Sequence, residues 1–403
     1  MTPHIHRQLS LVVLALLAHG GVALAQETRA AELRAQREAK AAQLHPAERP
    51  GIERFLFRLE DRLWVERLLT PPRGFYLRLG GLTEGGGFGV GPGYRYSTSA
   101  FDFRVSAAAS IKSYFSTEAS LLLPGAVQDG PFAELRVRRR DFPQEDFFGL
   151  GPASLPENRS NFALRDTYVG GTGGFRAGDL TAGLSAGYLD PSVGSGTDTL
   201  MPSTDEIFAP ADVPGLSAQP AFTVIEPFAE FSNTHPPLRP TTGGRYRVSW
   251  TRYTDRDLDS FSFSRWEADL RQFIPFFRDT RTLALRALIS SADPDSGHEV
   301  PFYLQPTLGG GTTLRGFRTL RFRDRSAALL QAEYRWRINE FVGGAIFYDT
   351  GAVAPRLGDL GKFEKDYGIA LRAGGPNAVA LRIEAAFGSG EGTRFLFKFD
   401  NVF

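Results

Sequence analysis

Cysteine is absent from the sequence, which excludes a disulfide framework, a thiolate-ligated zinc or iron–sulfur site and a lipid-modified N-terminal cysteine. An excess of either charge is missing too. Over 403 residues, 46 Lys and Arg meet 45 Asp and Glu, so the chain offers no electrostatic footprint for nucleic acid. Mean hydropathy is −0.20 and no apolar run reaches about 18 residues, which excludes a helical membrane protein. Histidine is scarce: beyond Gln26 only His45, His235 and His298 occur, in no triad or metal-ligand spacing. No catalytic residue, metal or cofactor is expected. What the chain has in quantity is glycine (44) and phenylalanine (33).

Arg7, the apolar stretch Leu9 to Ala18 and the small-x-small tripeptide Ala23-Leu24-Ala25 form the pattern of an export signal over residues 1–25. Residues 26–72 then read as a periplasmic helical segment. Gln26 to Ala47 is rich in good helix formers with little apolar content. Ile52 to Leu69 predicts an amphipathic helix, with Ile52, Phe55, Leu56, Leu59 and Leu63 on one face and Phe57, Trp64 and Leu68 on another. Arg54, Arg58 and Arg62 stack between them, and Thr70-Pro71-Pro72 ends the helix. Three placements are open: packed on a core, plugging a partly polar cavity, or flat on a membrane surface.

From residue 73 the apolar period becomes two. Phe395, Phe397, Phe399 and Phe403 share one face of the last strand, while Arg394, Leu396, Lys398 and Asp400 share the other. Ala328, Leu330, Ala332, Tyr334 and Trp336 alternate with Gln331, Glu333, Arg335 and Arg337. A soluble sandwich has the same period. The export signal, the aromatic C-terminal residue and apolar strips of about nine to eleven residues favour an all-β, antiparallel transmembrane barrel over residues 73–403. Strands are expected near 73–82, 86–97, 100–110, 113–123, 131–142, 161–170, 173–189, 221–232, 243–255, 259–274, 280–291, 326–338, 341–351, 365–374, 377–387 and 393–403. That is sixteen, an even number. With both ends of the barrel periplasmic, the long connections 143–160, 190–220, 292–325 and 352–364 fall outside, and the short turns 171–172, 339–340 and 375–376 fall inside.

The segment Thr307-Leu308-Gly309-Gly310-Gly311-Thr312-Thr313-Leu314-Arg315-Gly316-Phe317-Arg318 lies in one of the long outer connections. Its core, Leu314, Arg315, Gly316 and Phe317, resembles the inward-folded loop motif of the BamA/TamA-like outer-membrane barrel superfamily, the bacterial surface antigens. Asp146-Phe147-Phe148-Gly149-Leu150-Gly151, the segment Phe322 to Arg325, the strand Leu329 to Trp336, Phe347-Tyr348-Asp349-Thr350-Gly351 and the terminal Phe403 extend the resemblance over most of residues 73–403. It implies sixteen strands, with the loop between the eleventh and twelfth, and a loop arginine paired with lumen carboxylates. Carried across, Arg315 meets Glu333 and Asp349, near Gly351. Parity agrees: Glu333 alternates with outward Ala332 and Tyr334, and Asp349 follows outward Tyr348.

The resemblance further implies an outer-membrane location, contact with outer-membrane lipid and insertion by the barrel assembly machinery. Its function would be insertion or translocation of protein or lipid clients, with a passive channel or structural barrel as the alternative. Larger members carry periplasmic modules, whereas residues 26–72 are too few for one, so this chain is expected to be a short form. Two other motifs are set aside. Gly183 to Gly187 matches G-x-S-x-G around Ser185, but no helix pattern follows, as a nucleophile elbow needs. Asp293, Asp295 and Glu299 read as a solvated acidic loop rather than a cation site.

If the helix Ile52 to Leu69 fills the periplasmic mouth, deleting residues 26–69 raises single-channel conductance sharply. Unchanged conductance with lipid-accessible labelling at positions 57 and 64 places it on the membrane surface instead.

Overall fold

The computed structural model describes residues 73–123, 129–236, 239–277, 280–339, 341–374 and 381–398, with helical positions 32, 35 and 36. The expected export signal, the helix Ile52 to Leu69, Phe399 and Phe403 lie outside the described residues.

Eighteen strands are described: β1 (Arg73–Gly81), β2 (Phe88–Ser97), β3 (Asp102–Ser110), β4 (Phe115–Leu123), β5 (Gly130–Phe147), β6 (Ser160–Ala177), β7 (Leu180–Ser195), β8 (Phe222–Ser232), β9 (Gly243–Asp255), β10 (Phe263–Phe276), β11 (Arg281–Pro294), β12 (Thr307–Leu308), β13 (Phe322–Arg323), β14 (Ser326–Arg337), β15 (Val342–Ala354), β16 (Glu364–Ala373), β17 (Leu381–Phe387) and β18 (Arg394–Lys398). Sixteen form one antiparallel sheet in sequence order, with β11 pairing β14 across the small ribbon β12–β13. Among the described residues no ladder joins β18 to β1.

The alternation of side chains gives the sheet two unlike faces. In β16 and β17 every second residue is buried, and the intervening Tyr367, Ile369, Leu371 and Ile383 point the other way. On that outer face large apolar groups stay uncovered: Phe75 is 81% exposed, Trp266 60%, Phe395 69% and Phe397 65%. Such a belt in water would be a severe liability, whereas in hydrocarbon it is the surface that lipid covers. The inner face carries arginines, carboxylates and the loop between β11 and β14.

The expected turn at 171–172 is absent. β6 runs through it to Ala177, and the turn is Gly178-Asp179. The run Gly170-Gly171-Thr172-Gly173-Gly174 imitates a turn in sequence because glycine also serves close approach. Here rings need the room: a Cβ on Gly174 would lie 2.7 Å from Phe132 Cζ, and one on Gly170 would collide with the Tyr168 hydroxyl.

β5 and β7 are also longer than expected, ending at Phe147 and Ser195 within stretches read as loops. Their extra residues carry a cap. Phe147 of β5 and Val193 of β7 pack with Phe162 of β6, Phe302, Val213 and Leu216, and burying these groups stabilises sheet well past the span a membrane requires. The one-turn helix α1 (Thr204–Ile207), closed by a Ser203/Glu206 capping box, belongs to the connection beneath that cap.

A continuous ladder with an apolar outer belt resists detergent. Unboiled protein is expected to migrate differently from boiled protein on SDS gels, with strand-dominated circular dichroism. Identical mobility or a helical spectrum would count against the fold.

Candidate functional site

The connection from β11 to β14 folds onto the inner face instead of standing away from the sheet. β12 pairs with β13 to close its base. Between them, Gly309 and Gly310 take φ of +113° and +100°, a region L side chains rarely adopt, and this bends the chain back. Leu314 and Phe317 then join Leu308, Phe322, Leu329 and Val353 in a buried apolar cluster against β14 and β15. With its two neighbours of like character buried there, Arg315 is delivered to the strand wall with no exposed surface.

The guanidinium makes four hydrogen bonds, all to carboxylates. Nε and Nη2 of Arg315 donate to Asp349 Oδ2 and Oδ1 at 2.6 and 2.7 Å, a bidentate pair. Nη1 donates to Glu333 and, at 3.1 Å, to Glu384. Its Cζ lies 3.4 Å from the Phe347 ring centroid. Burial lowers the proton affinity of such a group, but Asp349 and then Glu333 outweigh it, and the proton is held more tightly than usual. Gly316 passes so near β16 that a Cβ there would stand 2.6 Å from Asp366 Cβ. Gly351 similarly leaves room for Leu308, whose Cδ1 is 2.9 Å from the position a Cβ would take.

Several partners follow from no motif. Glu333 also accepts Arg335 Nε at 2.7 Å and Arg372 Nη2 at 2.5 Å. Gln331 bridges Asp349 and the Thr313 carbonyl. Glu384 alternates with Ile383 and Ala385, so parity puts it on the inner face, but only register brings it level with Arg335 through Ala370 and Ala345. Arg315, Arg335, Arg372 and Arg382 thus meet Glu333, Asp349 and Glu384 in one buried cluster, and Asp366, opposite Asp349 on β16, brings the formal charges to four of each sign.

The loop also reaches both edges of the sheet. Arg382 donates to the Gly311 carbonyl at 3.2 Å, and Arg394 to the Phe317 carbonyl. Lys398 on β18 pairs at 2.9 Å with Glu84 in the β1–β2 turn. Gly311 lies against Lys398, where a Cβ would come within 2.7 Å of Cε, and Gly310 lies against Glu84. At the other end of the loop, Arg323 sits among the rings of Phe147, Phe162 and Phe302 and donates to the Phe302 carbonyl at 2.6 Å. Burial lowers its pKa to about 10, with Glu145 opposing the shift. The Gly151 amide donates to the Arg323 carbonyl, which joins the Asp146–Gly151 element to the same loop.

Of the terminal aromatics, Phe395 and Phe397 lie on the outer face. Ser185 of the G-x-S-x-G match is within β7 and shares a hydrogen bond with Thr172. Asp295 pairs with Arg252 at 2.5 Å.

Removing one member of a buried ion pair costs about 3–5 kcal/mol. Arg315→Ala and Asp349→Ala are each expected to lower the urea midpoint and open residues 309–321 to protease, and the double variant to fall short of the sum. Additive losses would show that the two groups act independently.

Comparisons with known proteins agree with this geometry. Residues 229–400 match the family model described as the Omp85 superfamily domain. Among solved structures, BamA from Haemophilus ducreyi lacking POTRA domains 1–3 superposes with a TM-score of 0.60 at 16% identity, over 81% of this chain and 69% of that one. CdiB from Escherichia coli gives 0.50 at 13% identity, over 83% of this chain and 67% of that one. No curated protein matches the sequence. Residues 229–400, from within β8 to the end of β18, thus match the Omp85 superfamily domain, and the sixteen-stranded sheet of which they are part has the fold of BamA and CdiB.

Proposed function

We propose that this barrel inserts or translocates protein or lipid clients at the outer membrane, without catalysing a covalent reaction. The observation that supports this most is the position of the inward loop. One segment is locked by Arg315 to β14, β15 and β17, and its glycines are wedged between Glu84 and Lys398 at the two edges that no described ladder joins. A passive pore has no need for a loop that touches both edges. A client that inserts through the sheet would have to part them, and the loop is the element whose contacts would change.

A channel role is the second reading, and an open cavity of about 830 Å³ against β5–β9 favours it. The two readings separate in a reconstituted system. Proteoliposomes holding the full chain are given a urea-unfolded eight-stranded outer-membrane protein, and its insertion is followed by heat-modifiable mobility. Insertion is expected to be faster than into empty liposomes. The cysteine-free background allows Glu84→Cys and Lys398→Cys to be bridged by a short bismaleimide, which is expected to return the rate to that of empty liposomes. Equal rates with and without the unbridged barrel would leave only the channel or structural reading.

A further inference from the structure

The loop fills the lumen against β11–β18 and leaves a cavity against β5–β9 below its contacts with Phe147 and Phe162. The stretch around Arg315 contacts β11, β14, β15, β17 and β18, while Phe302 and Arg323 pack on the outer ends of β5 and β6. Against β5–β9 lies the cavity of about 830 Å³, with only Tyr303 and Leu304 reaching it from the loop. Six guanidinium groups and four carboxylates line it, an excess of two formal positive charges, whereas the cluster around Arg315 has as many formal negative charges as positive.

The arginines are held in layers. The Tyr168 ring lies over Gly170 and Gly187, where a Cβ at 187 would stand 2.7 Å from the ring, and the Arg138 guanidinium lies over Tyr168 at 5.8 Å. The Phe228 ring lies over Gly183, and Arg247 over Phe228 at 4.2 Å. Glycine lets the ring lie close to the wall, and the ring fixes the guanidinium above it. Arg247 is neutralised by Glu226 at 2.7 Å. Arg138 is not matched in the same way. Among the described residues its one ion pair is with Asp166, 3.7 Å from Nη2, and that carboxylate is already engaged by Arg140 through Nε at 3.1 and 2.9 Å. Among the described residues Arg138 Nε has no hydrogen-bond partner.

We infer that the β5–β9 wall is an anion path through the barrel, with Arg138 as its main contact for permeating anions. A cleft with low-dielectric walls focuses the field of fixed charges, and arginines lining a pore favour anions over cations. The Arg138 side chain is 28% exposed, so an oxyanion such as phosphate can meet its guanidinium from the cavity although Nε itself is buried. This inference deepens the channel reading and is independent of whether clients are inserted.

The test is the full chain in planar lipid bilayers under a KCl gradient. The reversal potential is expected to carry the sign of chloride preference, and tripolyphosphate is expected to reduce the current. Arg138→Gln should bring the chloride-to-potassium permeability ratio towards one and relieve the block. Arg139→Gln, on the opposite face of the same strand and bonded to Thr167, should change neither. A variant is used only if it keeps the heat-modifiable mobility of the parent. Potassium preference, an unchanged ratio in Arg138→Gln, or no conductance at all would overturn the inference. Client insertion measured on the same Arg138→Gln protein separates the two failures: its loss would implicate the barrel as a whole, and its survival the anion path alone.

Discussion

A guanidinium with no exposed surface dictates much of this molecule. Burying Arg315 is tolerable only if opposite charge and hydrogen bonds surround it, and Asp349, Glu333, Glu384 and the Phe347 ring supply them from three strands. To bring the side chain there the loop must turn back on Gly309 and Gly310, bury Leu314 and Phe317, and pass β16 where only glycine fits. Each local feature of the motif answers a requirement set by that one charge.

The anchor divides the inner wall into unlike halves. On the β11–β18 side, formal charges are equal in number within a buried cluster, and the Arg315 pairs anchor the loop there. On the β5–β9 side, rings lie on bare backbone, guanidiniums lie on rings, and positive charge is left over. The same residue type thus serves two physical ends: Arg315 is consumed by its partners, whereas Arg138 keeps part of its bonding capacity. The loop ties these halves to a third feature, the edge between β18 and β1, through Glu84 and Lys398.

Much of this could be read from residue order. A period of two needs no tertiary information, because neighbouring side chains in a strand must point to opposite faces; it located the strands and put Glu333 and Asp349 on the inner face. It failed where one residue type has two uses. Gly170 to Gly174 has the composition of a turn, yet the chain continues straight because Phe132 and Tyr168 occupy the space that side chains would take. The lengths of β5 and β7 escape the period for a related reason: their outer ends are held by Phe302 and Val213, far away in sequence.

Sequence alone determined the alternation, the strand number and the chemical character of each face, since these depend on near neighbours and on the length needed to cross a bilayer. The tertiary structure decided which inner-face charges meet. Glu384, Arg372 and Arg335 join Arg315 because register aligns strands up to 69 residues away from it, and Lys398 meets Glu84 across 314 residues. Parity assigns a side chain to a face but not to a height, and a buried charge is neutralised only by groups at its own height.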